Sequence, residues 1–322
     1  MKPSVSKVLQ LIPPLSPTLH KGQAGRVGVL GGSVDYSGAP YYSAMSAMKL
    51  GADLAFVVSD ARAAGTIQGY SPDLIVLPYL HPNEGSLEED VKAVEGLFPR
   101  IHSLVVGPGL SRNAELLDRA AEAIKGARDR DMPVVIDADG LYLIQKRPEL
   151  VKGNKRAVLT PNVMEFKRLC EAMGVDGQGK DGEDEWGTAR RLSQAFGGVT
   201  IVQKGPSDLI CNENHSFRAD NEGGLKRCGG QGDVLSGILG ATLAWGHHCM
   251  PSIRKEAKEG GKELPGLPLS PEEVTPMAAY LSCTLVRECS RRAFSQHGRS
   301  MQTSDMLEHI GESLVRMEQS KL

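Results

Sequence analysis

The chain lacks both of the common phosphate-binding signatures. No GxxxxGK[ST] is present, and no GxGxxG follows a strand-like run, which excludes a P-loop enzyme and the usual dinucleotide fingerprint. It has six cysteines, Cys170, Cys211, Cys228, Cys249, Cys283 and Cys289, with no CxxC pair among them. That excludes a cysteine metal knuckle and a disulfide framework, and fits a reducing compartment. His247-His248-Cys249 has no second ligand cluster at finger-like spacing and is given no metal role. No excess of charge exists either: 37 basic against 39 acidic side chains create no field for nucleic acid, and no aromatic-basic stacking surface is visible. No apolar run approaches membrane-spanning length, and the first residues carry no signal or transit pattern, so a cytoplasmic protein acting on a small molecule is expected.

What the sequence does contain is a rhythm. Short apolar runs at Val27 to Leu30, Leu54 to Val58, Leu74 to Leu77, Leu104 to Val106, Val134 to Ile136, Val158 to Leu159 and Val199 to Val202 are each followed by turn residues and a helical pattern. Strands apolar on both faces need helices on both faces, which predicts an α/β fold with a largely parallel sheet. Asp208 to Cys211 and His215 to Arg218, joined by Asn212 to Asn214, read as a late antiparallel hairpin. Ala44 to Leu50 ends at Gly51, and Ala114 to Ala127 is amphipathic. Residues 174-186 and 251-271 are rich in glycine, proline and charge and read as surface loops. Helices near Met277 to Phe294 and Asp305 to Met317 read as outer layers, and one domain over 1-322 is the simplest organisation.

Ligands of open parallel sheets bind beyond the carboxyl ends of the strands, so the residues after each run matter most. They are Gly31-Gly32-Ser33, Gly107-Pro108-Gly109, Asp137-Ala138-Asp139-Gly140, Thr160-Pro161-Asn162 and Gln203-Lys204-Gly205. The most informative run is Gly229-Gly230-Gln231-Gly232-Asp233-Val234-Leu235-Ser236-Gly237, a glycine loop entering an apolar helix. Glycines let the backbone approach a ligand, and the helix start attracts anions. Asp233 beside such a phosphate site either caps the helix or serves as the base for a hydroxyl nucleophile. Lys204, Lys226 and Arg227 either meet phosphates or are solvated, Lys204 having Asp208 as an alternative partner. Asp137 and Asp139 read as caps of a βα loop or as part of a metal's water network. Asn162 and Glu165 have the spacing of a capping box, and equally that of a pair holding water on magnesium, Glu165 through water.

Asn162 to Glu165 as Asn-x-x-Glu, Lys204 to Asp208 as Lys-Gly-x-x-Asp, and the Gly-Gly-Gln-Gly-Asp run together resemble the ATP-dependent NAD(P)H-hydrate dehydratases of the ribokinase-like superfamily. The likeness extends through His20 to Arg26, Tyr36 to Tyr41, Lys49 to Leu54, Ser71 to Val76 and Gly107 to Leu110. It implies a ribokinase-like three-layer α/β/α sandwich. It implies that Gly109, Asn162, Val163, Met164, Glu165, Phe166, Lys167, Arg168 and Asp233 meet the hydrated dinucleotide. It assigns ATP to Lys204, Gly205, Pro206, Ser207 and Asp208, and to Gly223, Gly224, Leu225, Lys226, Arg227, Cys228, Gly229, Gly230, Gln231 and Gly232. Asp233 would be the catalytic base. The implied reaction converts (S)-NADHX and (S)-NADPHX to NADH and NADPH with Mg2+ and ATP, alongside an NAD(P)H-hydrate epimerase. The alternative is a vitamin-precursor or sugar kinase of the same superfamily. Oligomeric state is left open, a homo-oligomer included.

Overall fold

A computed structural model describes residues 2–17, 20–177, 182–261 and 264–319. Its strands are β1 (Arg26–Leu30), β2 (Leu54–Asp60), β3 (Ile75–Leu80), β4 (Ser103–Val106), β5 (Val134–Ile136), β6 (Ala157–Leu159), β7 (Thr200–Gln203), β8 (Asp208–Cys211) and β9 (Ser216–Ala219). They form one sheet in the order β3-β2-β1-β4-β5-β6-β7-β8-β9. Pairings from β3 to β7 are parallel, while β8 and β9 add an antiparallel hairpin at one edge. The expected α/β class and the late hairpin are both present.

Side chains alternate across each strand, so one sequence run feeds two cores. Val27, Val29, Val57, Val105, Val135, Val158 and Val202 face the helices Gly38–Leu50, Gln231–Ala244 and Pro271–His297. Phe56, Val58, Leu104, Val106, Ile136, Leu159 and Ile201 face the layer of Ala114–Asp129, Asp139–Lys146, Val163–Ala172 and Gly187–Ala195. The result is helices, sheet, helices. Helix Gln231–Ala244 is buried at every residue from Val234 to Ala244, as an all-apolar helix must be. Two glycines let it seat. A Cβ on Gly237 would lie 1.8 Å from the Ser43 carbonyl oxygen, and one on Gly240 would lie 2.8 Å from Val105.

Three expectations need correction. The run read as Leu74 to Leu77 continues through Pro78 to Leu80, because β3 is an edge strand and an edge tolerates a residue with no N–H. Much of 251-271 is helical rather than loop: Met250–Glu259, with Pro251 near its start, follows directly on a π-helical turn at Trp245–Cys249. Irregular chain is confined to the described residues after Gly260. Helix Pro271–His297 is not merely an outer layer, since Met277, Ala278, Leu281, Cys283, Leu285 and Cys289 are buried in the core. The other predicted loop has no helix or strand in its described residues, and 178–181 lie outside them.

Candidate active site

The sheet reverses its order between β1 and β4, the switch point where such folds open a crevice. There Gly32 N–H donates to the Pro108 carbonyl at 2.9 Å, and Gly107 N–H donates to the Leu30 carbonyl at 3.0 Å. The two turns touch so closely that a Cβ on Gly31 would lie 2.1 Å from the Pro108 oxygen. Gly109 has φ of 62°, and a Cβ there would lie 2.3 Å from the Tyr36 carbonyl oxygen. The Ser33–Pro40 loop and the Gly-Pro-Gly turn therefore form one wall.

Strands β5, β6 and β7 place three side chains beside that wall. Asp137 Oδ1 accepts from Thr160 Oγ1 at 2.8 Å and from Lys204 Nζ at 2.9 Å. Lys204 thus pairs with Asp137, not with Asp208. Burial opposes its charge, but Asp137 and then Glu165 outweigh burial and raise its pKa. Asp137 is not the cap of its loop either. Asp139 instead accepts from Ser111 N–H at 2.9 Å and pairs with Arg112 at 3.5 Å. Asn162 caps helix Val163–Ala172 in a full capping box with Glu165, whose pKa is raised mainly by burial. Of the segment after it, Val163, Met164, Lys167 and Arg168 are exposed, whereas Phe166 points into the core.

The glycine loop closes the site. Gly230 adopts φ of 96° as the N-cap of Gln231–Ala244, so Asp233 falls in the first turn and is not the cap. None of the described residues donates a hydrogen bond to its carboxyl, whose pKa burial pushes up to about 8, with Asp137 adding and Lys204 opposing. A Cβ on Gly232 would lie 3.6 Å from both Asp137 Oδ2 and Lys204 Nζ. An anion-attracting helix start, one ammonium and one carboxyl tuned to accept a proton near neutrality are therefore adjacent.

The family model described as NAD(P)H-hydrate dehydratase matches residues 27–312. The chain belongs to the NAD(P)H-hydrate dehydratase family. Proteins named ATP-dependent (S)-NAD(P)H-hydrate dehydratase are similar to it: one from Homo sapiens is 45% identical over 98% of this chain and 85% of its own. Another, from Emericella nidulans, is 42% identical over 97% and 92%. In fold the chain is similar to a ribokinase-like superfamily protein from Enterococcus faecalis, with TM-score 0.70 and 20% identity over 98% of this chain and 95% of that one. It is also similar to the Bacillus subtilis ADP/ATP-dependent NAD(P)H-hydrate dehydratase co-crystallised with ATP/Mg2+, with TM-score 0.66 and 18% identity over 98% and 97%.

Residues far along the chain brace both Lys204 to Asp208 and Gly223 to Gly232, the segments expected from sequence to meet ATP. Arg287 Nε donates to Asp208 Oδ2 at 2.7 Å, and its other nitrogens donate to the carbonyls of Gly205 and Pro206, each at 2.8 Å. Ser290 Oγ accepts from Gly224 N–H, and Thr303 Oγ1 donates to the Gly229 carbonyl. Arg227 folds back onto the Gly224 carbonyl, while Leu225 and Pro206 are exposed. Sequence reading missed Arg287, Ser290 and Thr303. No local signal marks them, because Arg287 and Thr303 lie 79 and 74 positions from Asp208 and Gly229.

Proposed function

We propose that the chain uses ATP to dehydrate (S)-NADHX and (S)-NADPHX to NADH and NADPH, acting as a hydro-lyase in cofactor repair. The observation that carries this reading is Asp233, placed in the first turn of the glycine-loop helix and tuned to about 8 beside Lys204 and Asp137. Expelling hydroxide from the ring is slow because water has a pKa of about 15.7, whereas a phosphate group, with a second pKa of about 6, leaves readily. The ring hydroxyl oxygen attacks the γ-phosphorus, the bond to the β-phosphate bridge breaks, and ADP leaves. Asp233 takes the hydroxyl proton. The ring nitrogen's lone pair then expels phosphate with the carbon–oxygen bonding pair, and loss of a neighbouring ring proton restores the double bond.

The backbone amides of Gly229 to Gly232 and the Lys204 ammonium offset the charge on the transferred group. Glu165, whose carboxylate accepts from Asn162 N–H in the capping box, would hold through water a magnesium ion that the nucleotide brings, since magnesium keeps several waters and takes few protein ligands. Bound there, the ion would neutralise phosphate charge. Gly109 and the Asn162 to Arg168 segment receive the dinucleotide. Lys204 to Asp208 and Gly223 to Gly232 receive ATP, all within a single domain spanning 1-322. Six free cysteines support a cytoplasmic place of action, with an epimerase supplying the S form. Among the described residues no helix is long and apolar enough to cross a membrane.

Phosphorus NMR of the protein with (S)-NADHX, magnesium and ATP tests the reading. Inorganic phosphate with no lasting phosphoester is expected; a stable phosphoester would instead mark an ordinary kinase.

A further inference from the structure

Asp137 stands in the site but outside every segment matched to a ligand. Its main chain is clamped: Gly140 N–H donates to its carbonyl at 2.9 Å, and a Cβ on Gly107 would lie 1.9 Å from that same oxygen. The next residue, Ala138, is held at φ of 48°, a left-handed conformation that only an over-determined loop imposes on a residue with a side chain. The side chain is as fixed as the backbone. It is 2% exposed, and Oδ1 binds both the Thr160 hydroxyl and the Lys204 ammonium. Lys204 by contrast is a flexible four-carbon stem with three donors, of which Asp137 engages one.

We infer that Asp137 is a positioning residue, which with Thr160 holds the Lys204 ammonium against Gly232 so that its remaining donors meet nucleotide phosphate beside Asp233. This rests on the proposed roles of Lys204 and Asp233. A rigid acid is needed because a free lysine would spread over many rotamers and would be drawn to Asp233 itself, masking the proton acceptor. The arrangement places a negative charge close to where phosphate binds, a cost that makes sense only if lysine placement matters more than affinity.

That trade separates positioning from a merely structural role. In Asp137→Asn the shape is kept and one repelling charge is removed. ATP affinity by calorimetry is expected to stay level or tighten, while kcat falls about tenfold or more. Lys204→Met is expected to weaken ATP binding and lower kcat, and the double variant to be no slower than Lys204→Met alone. The groups facing Asp233 are Asp137, Lys204 and Tyr42. The midpoint of kcat/KM against pH therefore moves down in Asp137→Asn and up in Lys204→Met. Thr160→Val, which removes one hydroxyl and keeps the Asp137 charge, should lower kcat less than Asp137→Asn does, with ATP affinity and the pH midpoint unchanged, and so tests the positioning even if Asp137→Asn folds poorly. Affinity and kcat lost in parallel, an unchanged kcat, or multiplying losses in the double variant would overturn the inference. Absence of wild-type turnover would strike the dehydratase reading instead. The ATP affinities of the Asp137→Asn and Lys204→Met variants would then decide the positioning role alone.

Discussion

Asp233 shows how a common residue becomes a usable base. Its ordinary pKa of about 3.9 makes a carboxylate a weak proton acceptor; burial and the Asp137 charge push it up to about 8, near the working range. The base form must be ionised, so kcat/KM should fall as pH drops below about 8. Asp233→Asn should still bind ATP but lose a hundredfold to ten-thousandfold in kcat, about the usual worth of a general base. Steady-state kinetics with calorimetry checks both, and full activity in that variant would remove the assignment. The residue types at the strand ends were readable from sequence, because ordinary turn chemistry explains any one such glycine, aspartate or lysine but not their recurrence after one apolar run after another. Their pairing was not readable. Whether Lys204 reaches Asp137 or Asp208 depends on the spacing of β5 and β7 across β6, and on Arg287 having already claimed Asp208.

At the scale of elements, the glycine-loop helix is held by contacts that admit no added atom. Gly237→Ala would drive a methyl into the Ser43 carbonyl region and separate Gln231–Ala244 from Gly38–Leu50. A loss of about 3 kcal/mol is expected from such overpacking, read from the urea midpoint. Asn162→Ala removes the side-chain half of the capping box, leaving the backbone N–H of residue 162 to donate to Glu165, and should cost about 1 kcal/mol. An unchanged midpoint in either variant would contradict these packing arguments. Strand positions were legible because buried parallel strands are nearly all apolar. Helix Met250–Glu259 was not, since its proline and charges carry the same composition as a loop and only the preceding π-turn reveals that the chain never left the helix.

Across the whole molecule, chemistry and acid sensitivity occupy opposite ends of the sheet. At the amino ends of the strands, burial lowers the pKa of His102 to about 3, with His248 and Arg26 adding, and that of His247 to about 3, with Arg156 adding. The rings of His102 and His248 stack at 3.7 Å, and His247 lines a cavity of about 440 Å³ with Arg128 and Arg156. The folded chain keeps these imidazoles neutral while the unfolded chain protonates them below about 6.5, so stability is lost as pH falls through that value. Asp233 works in the other direction, binding a proton more tightly when folded. One acid is outweighed by two histidines, and Asp233→Asn should steepen the acid loss. Thermal midpoints between pH 7 and pH 5 check this, and a flat profile would contradict it.

The proposed reaction moves one oxygen atom from the nicotinamide ring to phosphorus. (S)-NADHX carrying a heavy-oxygen label in its ring hydroxyl, turned over once with ATP and magnesium, reports where that atom goes. Label recovered in inorganic phosphate, with one NADH and one ADP formed, is the predicted result. Label recovered in water would contradict it.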